Sequence, residues 1–356
     1  MSARGRSARR RRRLVVGFGA VVALAVVGAL ALFGWYRAQL GAASGSHRVV
    51  EVRVPAGSST ADIADRLAAA GVIRNATAFT WHARATGSGP FEAGRYRFAR
   101  NSSADTALAV LDKGALGPEI SKFVVPEGFR LAQIEQRIHE AIPRFSIASI
   151  RGALASGKVR TPLLPAGSHD FEGLLFPATY SVTPDDSVTG TLQQMADAMT
   201  GRVQGLHVDA DVSALGLSDY QIVVVASLVQ AEAGNPDEAP KIARVIYNRL
   251  AAGEPLGIDA TSRYLSIRTG DPVDFESASP YNTRRRPGLP PTPIGAPGQF
   301  ALDAAAHPAA GDWMWYVRSV QNDAQGRPQH VFTASPEEFA QAKRACHDAG
   351  LGCGAP

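Results

Sequence analysis

Leu14 to Tyr36 is a run of 23 residues without a charged side chain. At 1.5 Å per helical residue, about 20 such residues cross the hydrocarbon layer of a bilayer, so the run predicts a transmembrane helix. Arg4, Arg6 and Arg9 to Arg13 precede it with no acid among them. A block of that kind holds the N-terminus in the cytoplasm and sends the rest of the chain across. Trp35 and Tyr36 fall at the far end, where amphipathic rings prefer the interface. A cleaved signal peptide is the competing reading, because small residues (Gly41 to Ser44) follow. Its apolar region is usually only about 7–15 residues, so an uncleaved anchor is expected.

The charge balance follows from that block. The chain of 356 residues has 37 basic and 32 acidic side chains, a net charge of +5. Seven of the basic residues lie in the first 13, and everything after Arg13 carries −2. A basic pI would ordinarily raise nucleic acid as a partner. Here it is a topological signal, and no nucleic-acid partner is expected. The two cysteines, Cys346 and Cys353, are close enough for a disulfide across a short loop outside the cytoplasm, and such a bond would pin a tail. The eight histidines are scattered singly and HExxH is absent, so neither a metal nor another cofactor is expected.

Beyond the flexible link Gly41 to His47, Val49–Val54 alternates as a strand. Ser59 or Thr60 caps a helix from Ala61, ended by Gly71. A helix over 76–86, a strand over 94–98 and a helix over 105–111 follow. The segment Val52-Arg-Val-Pro-Ala-Gly57 with Ile63 and Leu67 has an echo in Val124-Val-Pro-Glu-Gly128 with Ile134 and Ile138, at a constant offset of 71. Two readings stand: a common β-turn-α unit used twice, or a duplicated glycan-binding module. The first copy resembles a LysM module, which grips N-acetylhexosamine polymers. From Phe171 onward, Pro- and Gly-rich loops surround two strong helices. Long loops of this kind tend to carry function. Trp313–Arg318 reads as a buried strand. Ser335 and Glu338 form a capping box with Pro336 at the first helical position of a final helix.

The most informative stretch runs from Leu217 to Gly234. Ser218 is an N-cap with Gln221 three residues on, and Leu217 can staple onto Ile222. The β-branched run Ile222–Val225 favours a strand locally, but the cap and the length favour a helix. It is apolar on nearly every side and is expected to be buried through the domain centre. Glu232, near its C-terminal end, shares a stripe with Val225, Leu228 and Val229. Desolvation and the negative end of the helix dipole would both raise its pKa. A glutamate kept protonated near neutrality suits a general acid for glycosidic cleavage. The alternative is a solvated glutamate at a fraying helix end, paired with Arg244 or Lys241.

Several motifs in order carry a family resemblance. They are Ala226-Ser-Leu-Val-Gln-Ala-Glu232-Ala with Val245-Ile-Tyr-Asn-Arg-Leu250, Glu172-Gly-Leu-Leu-Phe-Pro-Ala-Thr-Tyr180, Asp259-Ala-Thr, Tyr281-Asn-Thr283, Gly288-Leu-Pro-Pro-Thr-Pro-Ile294 through Gly298, and Ala304-Ala-Ala-His-Pro308. Together they resemble the YceG-like family of endolytic murein transglycosylases. The resemblance places the catalytic glutamate at Glu232. The family's usual first acid in this helix is Gln230 here, Ala178 replaces an Asp, and Ala260 replaces a Pro. Glu172, Tyr180, Asn248, Asp259 and Asn282 are candidates for sugar binding. The plainer roles are loop-holding bonds for Glu172 and Asp259, an inter-helix bond for Asn248 and a core ring for Tyr180.

The resulting expectation is an α+β chain. It comprises a cytoplasmic basic tail (1–13), a single N-terminal transmembrane helix (14–36), a LysM-like module (48–117), a mixed α/β catalytic domain (120–345) and a C-terminal tail (346–356). The resemblance implies a lyase of the cell inner (cytoplasmic) membrane that cuts nascent peptidoglycan glycan strands and leaves 1,6-anhydro ends. Its partners would be the glycan, the membrane and peptidoglycan synthases (penicillin-binding proteins). Two alternatives are a non-catalytic peptidoglycan-binding scaffold and a hydrolytic muramidase. An acyl-transfer enzyme is disfavoured, because none of the five lysines has a Ser three positions before it and G-x-S-x-G is absent.

Overall fold

The computed structural model describes residues 4–43, 48–117 and 119–353. The chain divides into two compact units, Met1–Pro118 and Glu119–Pro356, each with its own core.

Helix α1 (Arg4–Leu40) runs past the uncharged segment at both ends, so the backbone of the arginine run continues the same helix. Its stretch Val16–Leu40, with mean hydropathy 2.5, is long and apolar enough to cross a membrane. Phe18, Leu24 and Leu30 stand exposed along it. The expected flexible link is tethered where it starts. The Ala42 carbonyl accepts from Arg74 (3.0 Å), and the Ala43 N–H donates to the Asn101 carbonyl (3.1 Å). Residues 44–47 of that link lie outside the described residues.

The first unit follows with β1 (Val49–Val54), α2 (Thr60–Ala69), α3 (Ala76–Thr86), β2 (Gly94–Ala99) and α4 (Ala104–Asp112). Ser59 and Asp62 cap α2 reciprocally. The two strands pair antiparallel, with Val52 opposite Tyr96. Ile63, Leu67, Phe79 and Leu108 pack with Tyr96 and Phe98 into one core.

The second unit opens with the same order of elements: β3 (Ser121–Val124), α5 (Leu131–Ala141), α6 (Ile147–Ala155) and β4 (Thr179–Val182), with β3 antiparallel to β4. Gly57 and Gly128, the paired turn glycines of the two copies, have φ of +76° and +75°. A side chain there would be strained, so both copies need glycine. The repeat offset of 71 therefore marks two β-α-α-β units.

The rest of the unit is built around one buried helix. After α7 (Val188–Gln204) and α8 (Ala210–Ser213), α9 (Asp219–Glu232) begins at the expected Ser218–Gln221 capping box. All eight residues from Ile222 to Val229 are buried, which overrides the strand preference of the β-branched run. Each buried Val or Leu contributes about 1.5–3 kcal/mol.

Around α9 lie α10 (Ala239–Ala252), α11 (Asp259–Thr269) and α12 (Gln299–Ala306). Ala301, Ala304 and Ala305 are buried, and their small side chains let α12 press close. At the entry to α10, Asn235 accepts a capping bond from the Asp237 N–H, and a 3₁₀ turn (Pro236–Glu238) precedes the helix.

The strand at Trp313–Arg318 is corrected. It is β5 (Trp315–Asn322), paired antiparallel with β6 (Pro328–Thr333), and among its residues only Val317 is fully buried. Two strands alone have no second layer on both faces, so the hairpin stays half open. Helix α13 (Pro336–Asp348) packs on it, with Trp315 stacked on Phe339. Ser335 accepts the Glu338 N–H as expected, but the Glu338 carboxylate accepts from Thr333 Oγ1 (2.6 Å), so half of the capping box forms. Cys346, fully buried within α13, is bonded to Cys353 and closes the helix end.

Candidate active site

Glu232 is the last residue of α9 and is partly buried. Its carboxylate Oε2 accepts a hydrogen bond from the Tyr316 hydroxyl at 3.0 Å. Burial pushes the Glu232 carboxyl above its ordinary value. The Tyr316 bond and nearby His330 and Arg263 pull it down, while Asp259 pushes it up, and burial prevails. The solvated alternative is not what the structure shows. Arg244 pairs with Asp211 (2.6 Å), and Lys241 sits over the rings of Trp313 and Phe332.

Three polar clamps hold the β5–β6 hairpin against the turn that follows Glu232. Asn235 donates to Asp323 (3.3 Å), and Arg327 bonds both Asp323 (2.7 Å) and Asp237 (2.6 Å). Glu238 accepts from the His330 backbone N–H (2.8 Å) and bonds its Nδ1 (2.9 Å). His330 is a diagonal neighbour of Tyr316 on the hairpin, and its ring meets the tyrosine edge-on at 5.5 Å. Tyr316 therefore reaches Glu232 from a strand whose place is fixed by the turn that α9 leads into. Burial and the Glu232 carboxylate push the Tyr316 hydroxyl well above its ordinary value, so it stays a donor.

The loop after Pro290 closes another side of α9. Ile294 donates its N–H to Ser227 Oγ (3.1 Å), and Gly298 donates to Gln230 Oε1 (2.9 Å). Gln230 thus holds a loop by its side-chain oxygen, a task for which no charge is needed. A Cβ on Gly295 would come within 2.7 Å of the Gly128 carbonyl, so glycine is required for this loop to meet the turn of the second β-α-α-β unit.

The structure brings Asp259 near Glu232 but withdraws most other candidates from any surface role. Asp259, at the start of α11, pairs with Arg284 at 2.7 Å. Tyr180 is buried, stacks on Phe123 and donates to the Phe176 carbonyl (2.7 Å), so it is a core ring. Asn282 is buried and donates to the carbonyls of Phe275 and Ser277, both at 2.8 Å. Asn248 donates to the carbonyls of Gly311 (3.2 Å) and Trp313 (2.9 Å), which tethers the approach to β5. For both asparagines the amide donors are spent on backbone carbonyls.

Glu172 is also a fastener. It accepts the first N–H of α5 from Leu131 (2.9 Å) and the Tyr264 hydroxyl (3.0 Å), and burial raises its pKa to about 7. Because the folded value exceeds the unfolded one, the stability it supports is complete below about pH 4.5 and is lost as pH rises to about 7. Between pH 5 and pH 8 this group lowers stability by about 2–3 kcal/mol. Urea unfolding of Glu172→Gln at the two pH values checks this: the variant is expected to lack that part of the wild-type decline.

Sequence reasoning missed Tyr316, His330 and Glu238. They lie 84, 98 and 6 positions from Glu232, and only the period of the hairpin hinted that Tyr316 and His330 share a face.

With this geometry in place, comparison with known proteins assigns the family. The profile of the YceG-like family matches residues 52–345. The chain belongs to the YceG-like family. It is similar to a protein named endolytic murein transglycosylase from Bacillus subtilis (strain 168), 29% identical, with 84% of this chain and 85% of that protein covered. A protein of the same name from Streptococcus pneumoniae (strain D39) is 26% identical over 77% of this chain, which spans 55% of that relative's length. The crystal structure of a yceG-like protein from Listeria monocytogenes is similar with a TM-score of 0.50 at 27% identity, covering 82% of this chain and 98% of that one.

Proposed function

We propose that the protein is a membrane-anchored endolytic transglycosylase of peptidoglycan in which Glu232 serves as both acid and base. The observation that carries this is a partly buried carboxyl with a raised pKa, bonded on one oxygen by Tyr316. The other oxygen is left to carry the catalytic proton. Glu232 protonates the oxygen between C1 of N-acetylmuramic acid and its N-acetylglucosamine neighbour, and the C1–O bond breaks. The carboxylate so formed steadies the oxocarbenium-like centre and takes the proton from the muramoyl C6 hydroxyl. O6 closes on C1, Glu232 is protonated again, and no water is consumed. An intramolecular nucleophile needs no second carboxylate to activate water, and proximity supplies much of the rate. The pairing of Asp259 with Arg284 supports this single-acid reading.

The same reading assigns α1 as a single-pass anchor in the cytoplasmic membrane, with its arginines inside and the chain from residue 48 onward outside. The β-α-α-β order of the first unit supports a LysM-like role in gripping the polymer. Peptidoglycan synthases are the expected neighbours, since the substrate is their product. Full-length protein in detergent, given long uncrosslinked glycan strands, is expected to release intermediate lengths with anhydro ends. Release of disaccharides from strand ends alone would contradict the endolytic assignment.

A further inference from the structure

We propose that the lip of the active site formed by Arg263, Arg284 and Arg286 binds carboxylates of the stem peptide carried by the muramoyl sugar. The enzyme would then prefer peptide-bearing glycan over bare glycan. The inference rests on the transglycosylase reading above.

Residues 119–356 hold 26 acidic and 20 basic side chains, so an arginine cluster on this unit runs against its overall charge. Three consecutive arginines, Arg284 to Arg286, are exposed in the proline-rich loop. That loop is pinned beside the start of α11. Gly257 donates its N–H to the Thr283 carbonyl (2.8 Å), Pro255 and Pro287 form a β-bridge, and Arg284 pairs with Asp259 (2.7 Å). Arg263 stands one helical turn after Asp259 on α11, and the charges of both act on the Glu232 carboxyl. Helix α11, which carries Asp259 and Arg263, packs against α9, whose last residue is Glu232, so the lip adjoins the acid.

Asp259 engages Arg284, and Glu276 engages Arg285 (2.7 Å). The guanidinium groups of Arg263 and Arg286 belong to exposed residues and make no ion pair or hydrogen bond among the described residues. Guanidinium groups in this state are suited to fork onto carboxylates. A strand stripped of its peptides offers hydroxyls, amides and a single lactyl carboxylate held against each muramoyl ring. The peptide on the lactyl group of muramic acid offers carboxylates further from the ring, on the same sugar whose glycosidic oxygen Glu232 protonates. Those carboxylates are the anionic groups that the peptide adds to the reacting sugar.

The test compares full-length wild type with Arg263→Gln/Arg286→Gln on two lipid-free glycans, one with intact peptides and one stripped by an amidase. The readout is the ratio of kcat/KM for forming anhydro ends on the two. Any effect of Arg263 on the Glu232 proton acts on both substrates and cancels in that ratio. Wild type is expected to favour the peptide-bearing strand, and the double variant to lose about tenfold of that preference. The single variant Arg286→Gln, at an exposed position, is expected to lose part of it, and rising salt is expected to erode it in wild type. Equal ratios for wild type and the double variant overturn the inference. So does an effect seen only with lipid-linked strands, which would assign the lip to phosphate. Absence of anhydro ends from both glycans overturns the transglycosylase reading, and this inference with it.

Discussion

Glu232→Gln is expected to lower the rate of anhydro-end formation by at least about 10³-fold, because in the proposed mechanism one residue both gives and takes the proton. The amide keeps the size and the Tyr316 bond at one oxygen, but it has no proton of the required acidity. The fold should survive. Burial opposes ionisation of Glu232, so a neutral isostere removes a stability cost that grows as pH rises through the raised pKa. Thermal unfolding at pH 8 is expected to show a melting temperature at or above that of wild type. A loss of activity together with a lowered melting temperature would instead assign Glu232 to holding the structure.

Tyr316→Phe separates positioning from acidity. The ring stays in its contacts with His330 and Phe332, while the 3.0 Å bond to Glu232 is lost. The freed carboxyl is less well aimed, and kcat is expected to fall about 10- to 100-fold with a smaller change in KM. The pH profile carries the more diagnostic signal. The Tyr316 bond lowers the Glu232 pKa, so removing it raises that pKa further. The acid form then persists to higher pH, and the alkaline limb of the kcat/KM profile moves upward. A variant with reduced rate and an unmoved limb would mean that Tyr316 supports the hairpin without acting on Glu232.

Much of the frame was readable from local patterns. Ser218 with Gln221 marked where α9 begins, and an apolar surface all round marked it as central. The offset between Gly57 and Gly128 marked two like units, because a turn with positive φ leaves a glycine behind. Glu232 was legible as a charge on an apolar stripe.

Contacts across long sequence distances were not legible. Tyr316 reaches Glu232 only because Asn235, Asp237 and Glu238 bind Asp323, Arg327 and His330, and no period in the chain encodes such pairs. Polar candidates such as Glu172 and Asn282 looked like ligands for sugar. A loop-rich unit must satisfy its own buried N–H and C=O groups first, and these side chains are spent on that. Gln230, where the family usually has an acid, holds Gly298 by an oxygen that either residue would supply.

The central claim is that Glu232 passes a proton out and back while an internal hydroxyl, and no water, attacks C1. Digestion of glycan strands in ¹⁸O-labelled water, with mass analysis of the new muramoyl ends, tests it directly. The expected result is ends one water lighter than reducing sugars and free of label. Reducing ends bearing ¹⁸O at C1 would show that water is the nucleophile, and would contradict the account.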